Sequence, residues 1–119
     1  MSTRALRPNA ATSLLNQLQR LASADQASID LARLLLAPLA REDDERGNNL
    51  LATLRAYYEC GARVDWTADR LFLHRNSVRY RLDRVRSLLG MNIDQPQAIA
   101  ALVLALECSG QAAEQANAG

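Results

Sequence analysis

Between residues 75 and 89, Val78, Leu82, Val85 and Leu89 recur at steps of four, three and four. That rhythm places four apolar side chains on one stripe of an α-helix. It also decides what the other faces hold: Arg75, Asn76, Ser77, Arg79, Tyr80, Asp83 and Arg84 must look outward or sideways. A half-buried strand would alternate with a period of two, and the chain shows no such alternation. The expected fold class is therefore all-α, with five or six helices. Aromatic residues make up only 4% of the 119, so the core must be built from Leu, Ala and Val. The length suits one compact domain.

The punctuation along the chain divides it further. Leu14, Leu15, Leu18 and Leu21 mark a helix over 10–23. Asp25 can cap a second helix, in which Ile29, Leu31, Leu34, Leu35 and Leu36 supply apolar surface and Pro38 is expected to end or bend the chain. "REDDER", residues 41–46, reads as a solvated turn or helix extension, since no calcium-loop spacing accompanies its acids. After Gly47, Asn48 and Asn49 a helix follows to about Cys60, with Leu50, Leu51, Leu54 and Tyr57 or Tyr58 inward; Gly61 sits where a left-handed cap would fall. Asp65 can cap a short helix to Leu71 or Phe72, and Trp66 within it is expected to be core or helix-packing surface, the alternative being a DNA-backbone contact through its indole N–H. A turn leads to the helix 75–89, closed by Gly90. Asp94 and Pro96 open a last helix, which Gly110 is expected to stop. The division expected is a helical connector and candidate dimerisation segment over 1–46, a helix-turn-helix domain over 47–110, and a disordered tail over 111–119.

Net charge is +1, but its distribution is uneven. Residues 70–86 hold six arginines against Asp83 alone, while the rest of the chain holds eight basic residues and twelve acids. A basic patch on an acidic body points to an anionic partner more than the total does. All fourteen basic residues are Arg, whose fork suits phosphate. Other classes are disfavoured. Cys60 and Cys108 lack CxxC spacing and His74 is the only histidine, so no zinc site or other metal site is expected. No nucleophile–base pair, paired carboxylates or Gly-rich phosphate loop is present, so neither an enzyme nor a cofactor is expected, and no residue is assigned as catalytic. "MSTRALRPNAATSLL" has a basic start but no apolar leader core, and no run reaches the roughly 18 apolar residues of a membrane span, which implies no membrane partner and a cytoplasmic location.

The unit 65–89 has helix-turn-helix form, with Ala68 small enough for a close helix crossing and Leu71 and Leu73 bracketing the turn. Its second helix presents His74, Arg75, Asn76 and Ser77 in a first turn whose backbone N–H groups favour phosphate. Arg79, Tyr80 and Arg81 follow a turn later, and Arg84 is placed for the DNA backbone. In DNA readers of this form the N-terminal residues of the second helix reach base edges in the major groove. Arg suits guanine, Asn suits adenine, and Ser is a common phosphate ligand. His74 reads as a capping or phosphate-contacting residue, and Tyr80 either packs on the domain or touches a phosphate.

Residues 50–90, "LLATLRAYYECGARVDWTADRLFLHRNSVRYRLDRVRSLLG", resemble the C-terminal helix-turn-helix domain of PucR/CdaR-type bacterial transcriptional regulators. "HRNSVRYRL", residues 74–82, carries most of the likeness, and "IDQPQAIAALVLAL", residues 93–106, resembles the family's closing helix. The resemblance implies a Fis-like DNA-binding fold and a role in transcription. It marks His74, Arg75, Asn76, Ser77, Arg79, Tyr80 and Arg81 as the reading helix, with Ser77 in place of the usual Thr. Phe72 and Trp66 are bulkier than that pattern leads one to expect. The expected partner is double-stranded DNA, bound by a homodimer through the leucine-rich helices of 10–40 or the apolar helix 96–108, although most residues of the latter are expected to pack in the core instead. Any effector would bind a sensory region that family members carry ahead of this domain. The alternative is a helical protein-interaction or dimerisation module whose basic face has no specific DNA site.

Overall fold

The structure, a computed structural model, describes the backbone of residues 8–23 and 25–118 and the side chains of residues 12–21 and 25–109. The start of the basic N-terminal stretch read for a leader lies outside them, as does the last residue of the tail. Six helices follow in order: α1 (Pro8–Ser23), α2 (Gln26–Arg46), α3 (Leu50–Glu59), α4 (Val64–Leu71), α5 (Arg75–Leu89) and α6 (Pro96–Ala118). The described residues contain no strand, so the chain is all-α.

Asp25 caps α2 as its sequence position suggests. Its backbone is extended, and its carboxylate accepts from the Ser28 N–H at 3.0 Å and from Ser28 Oγ at 2.9 Å. Pro38 does not end this helix, which continues to Arg46. An interior proline costs roughly 3 kcal/mol. On either side of it Leu36 and Leu39 are buried in the same core, and that packing offsets the loss. α2 therefore also takes in "REDDER", whose acids are not all solvated. Glu42 is only 6% exposed. Asp43 reaches across the turn and accepts the N–H of Leu50 on Oδ1 at 2.6 Å and of Leu51 on Oδ2 at 3.1 Å. Left-handed backbone at Gly47 and Asn49 makes that reversal. Asn49, the residue in the cap position of α3, makes no side-chain cap bond, so Asp43 does the capping from the preceding helix. Asp43→Ala will remove both bonds. The expected cost is about 1–2 kcal/mol, read as a Tm lower by at least about 4 °C in thermal unfolding. Asp43→Asn, which keeps one acceptor, will lose less.

The short helix differs from its sequence reading in two details. Asp65 is not its cap: the helix starts at Val64 behind Arg63, and Asp65 lies in the first turn, 3.3 Å from the Arg63 guanidinium. Trp66 is not in the core but 53% exposed, with Arg63 stacked 4.2 Å over its ring. α4 has only eight residues, and its inward positions belong to Thr67 and Ala68, which leaves the neighbouring ring outside. α5 buries Val78, Leu82 and Val85 completely and Leu89 in part. Gly90 ends it in left-handed backbone, donating to the Arg86 carbonyl at 2.8 Å. Gly110 does not stop α6, whose backbone is helical to Ala118. A glycine interrupts a helix only if it takes up the left-handed form; held in helical backbone it costs about 1 kcal/mol.

One core joins these helices. Leu39 of α2, Leu50 and Leu54 of α3, Val78, Leu82 and Val85 of α5, Ile93 before α6, and Leu102 of α6 are all fully buried in it. α2 thus packs against α3, α5 and α6. α1 packs against α6 and α2, and its Leu14, Leu15, Leu18 and Leu21 are about half exposed or more. Cys60 and Cys108 are buried free thiols, and burial pushes that of Cys108 up. Among the described residues no helix is long and apolar enough to cross a membrane.

Candidate nucleic-acid interface

Two tight features aim α5. The first is the turn after α4. Phe72 stands in left-handed backbone at φ 56°, its N–H donating to the Asp69 carbonyl, and the Leu73 N–H donates to that of Ala68 at 3.0 Å. Phe72 is 94% exposed, so its ring repays none of the strain within the domain. Phe72→Gly will accordingly raise stability by about 0.5–1 kcal/mol, measured as a higher denaturation midpoint with an unchanged m-value. The second feature is His74, the N-cap of α5. Its Nδ1 accepts from the Asn76 N–H at 3.0 Å, so that nitrogen carries no proton in the capped form. The His74 carbonyl accepts from the Ser77 and Val78 N–H groups. Capping was one of the two roles expected of His74. It also means that the Asn76 and Ser77 N–H groups are already engaged rather than free for an anion.

Arg75, Asn76, Ser77, Arg79 and Tyr80 are all exposed on the outer face of α5. Arg79 Nη1 donates to Asn76 Oδ1 at 3.2 Å, so these two side chains are ordered together. The arginines of 70–86 do not act as one patch. Arg70 pairs with Glu59 at 2.9 Å. Arg86 pairs with Asp83 at 2.8 Å and with Asp94 at 3.0 Å. Arg81 turns back to donate to Thr53 Oγ1 at 3.3 Å. Arg84, expected on the DNA backbone, has its guanidinium against the Glu42 carboxylate at 2.7 Å. Among the described residues, Arg75 and Arg79 are the members of the set whose guanidinium meets neither a carboxylate nor the body of the domain. The local charge surplus read from sequence therefore shrinks to a small exposed basic centre at the start of α5.

Behind α5 lies a second polar layer that pattern reading missed. Tyr57 donates to Asp94 Oδ1 and Tyr58 to the Ile93 carbonyl, each at 2.7 Å, pinning the segment before α6. Burial, with Asp94 adding to it, pushes both phenols up to about 12. Glu42 accepts from Arg84 and, at 2.7 Å, from Asn48. The Arg84 hydrogen bond is the main cause that holds the Glu42 carboxyl below the usual glutamate range. A depressed folded-state pKa favours folding above the ordinary value, about 4.3, and the contribution is lost as pH falls below it. Stability measured from pH 6 to pH 3 will thus decline more steeply in the unaltered chain than in Glu42→Gln. No local signal marks Glu42 in sequence, because its partner lies 42 residues away. Among the described residues no cluster of His, Cys, Asp or Glu could hold a metal ion.

Residues 50–108, about half of the chain, match the family model described as the PucR C-terminal helix-turn-helix domain. The purine catabolism regulatory protein of Bacillus subtilis is 40% identical over 65 residues, which is 55% of this chain and 12% of that protein. The carbohydrate diacid regulator of Escherichia coli is 38% identical over 60 residues, 50% of this chain and 16% of that one. An uncharacterized protein of the pkwA 5′ region of Thermomonospora curvata is 41% identical over 80 residues, 67% of this chain and 43% of that one. The chain thus spans only a small fraction of the length of the two named regulators. No solved structure matches. Through residues 50–108, with α3 to α5 and most of the buried part of α6, this chain belongs to the PucR C-terminal helix-turn-helix domain family.

Proposed function

We propose that this chain is a sequence-specific DNA-binding transcriptional regulator, or the DNA-binding part of one, that reads the major groove with the first two turns of α5. The observation that carries the reading is the pairing of a buried stripe with an exposed polar face on one helix. Val78, Leu82 and Val85 hold α5 against the core, and Arg75, Asn76, Ser77, Arg79 and Tyr80 face away from it. Arg75 and Asn76 take base edges, and Ser77, Arg79 and Tyr80 take phosphate or a base beside them. His74 supports them as a cap. Two similar proteins named as regulators support a regulatory role rather than an enzymatic one.

One reading helix covers few base pairs, so useful affinity calls for a homodimer on a two-fold site. The exposed leucines of α1, together with Leu31 and Leu34 of α2, are the surface for the second copy. An effector, where there is one, acts on a region outside these helices. Selection of duplexes from a random pool at moderate salt tests the reading. Enrichment of a two-fold motif supports it and gives the half-site spacing. A pool that stays flat, with salt-sensitive binding, reduces the function to backbone attraction. Absence of binding replaces it with a protein-interaction module.

A further inference from the structure

We infer that α2 sets the pose of the reading helix through the Glu42–Arg84 pair, so that Arg84 is a positioning residue and not a contact to DNA. This rests on the DNA-reading function proposed above. Arg84 Nε lies 2.9 Å from both carboxylate oxygens of Glu42, and Nη2 lies 2.7 Å from Oε1. Asn48 Nδ2 takes Oε2 from the other side. The carboxylate is almost wholly buried, while a third of the arginine side chain remains exposed. For Arg84 to reach a phosphate it would have to leave a buried carboxylate without its charge partner, an expensive exchange.

The next residue of α2 acts on the other helix of the domain. Asp43 holds the first two N–H groups of α3, at Leu50 and Leu51. Two consecutive acids at the end of α2 thus grip α5 and α3 separately. Beside single hydrogen bonds from Arg81 to Thr53 and from Arg86 to Asp94, α5 meets the core through one apolar stripe, and apolar contact has no preferred direction. A guanidinium fork on a carboxylate does have one, and it fixes the rotation of α5 about its own axis. Arg84 stands nine residues beyond Arg75, roughly 13 Å along the helix. A rotation allowed at Arg84 is carried rigidly to Arg75 and Asn76 at the groove.

The test uses the full chain, the duplex enriched in the selection above and a scrambled duplex, over a salt series at a temperature well below each variant's Tm. Glu42→Gln and Arg84→Lys are each expected to weaken binding to the enriched duplex on the order of tenfold. Both should narrow its margin over the scrambled one, with an unchanged slope of log affinity against log salt. The combined Glu42→Gln, Arg84→Lys variant should be no worse than either alone. Arg84→Ala should behave like Arg84→Lys, because the fork and not the charge is needed; where it fails to fold, Glu42→Gln and Arg84→Lys carry the result. A salt slope lowered by about one in Arg84→Ala, with Lys restoring affinity or Glu42→Gln binding more tightly, would make Arg84 a phosphate contact and overturn the inference. Lower Tm with unchanged affinity and discrimination in every variant would overturn it too, leaving the pair purely structural. Failure of the unaltered chain to prefer any duplex would overturn the DNA-reading function and this inference together.

Discussion

Val78→Asp will unfold the helix-turn-helix rather than weaken it. Val78 is fully buried at the start of the α5 stripe, among Leu54, Leu82 and Val85 in one core. The substitution forfeits the burial of a valine, about 1.5–3 kcal/mol. It also places a carboxylate where no partner is available, which costs several kcal/mol more whether the group stays charged or takes a proton. The sum, about 5 kcal/mol or above, is comparable with the whole stability of an ordinary domain. Helical circular dichroism at 25 °C should fall well below that of the unaltered chain, with no cooperative thermal transition. Val78→Ala, which leaves a small cavity and no charge, should keep the transition at a lower Tm. A folded Val78→Asp protein with native Tm would mean that α5 is not seated by this stripe.

The second large effect falls on DNA. Arg75→Ala and Asn76→Ala should each cost about 1–3 kcal/mol of affinity for the preferred duplex, and each should relax the preference at a different base pair. Neither side chain is buried and neither closes the core, so the Tm should hardly move. The two are not equivalent. Arg75 stands alone, whereas Asn76 also accepts from Arg79 and keeps that guanidinium in place. The double variant Asn76→Ala, Arg79→Ala should therefore lose less than the two single losses added, as expected of neighbours in one hydrogen-bonded pair. Binding isotherms on the enriched duplex and on its single-base variants measure both effects. If Arg75→Ala and Asn76→Ala bound all duplexes like the unaltered chain while remaining folded, α5 would not be the reading helix.

What the sequence determined by itself is whatever local chemistry dictates. The steps of Val78, Leu82 and Val85 determine the helix and its buried side, and Asp25, His74 and Gly90 determine where helices begin or end, because a cap bonds within three or four residues of itself. From these the all-α class, the helix-turn-helix and the exposure of Arg75, Asn76 and Ser77 were legible. Only the tertiary structure decided which charges remain available. Arg84 and Arg79 look alike in sequence, five residues apart on a basic helix. One meets a buried carboxylate from α2 and the other bonds to Asn76 on the outer face, and nothing within a helical turn of Arg84 points to its partner. The same holds for Asp43, which caps a helix it does not belong to, and for Pro38, overruled by the leucines packed on either side of it. Ion pairs and burial are set by what lies across the fold, and a local pattern cannot encode a partner 42 residues away.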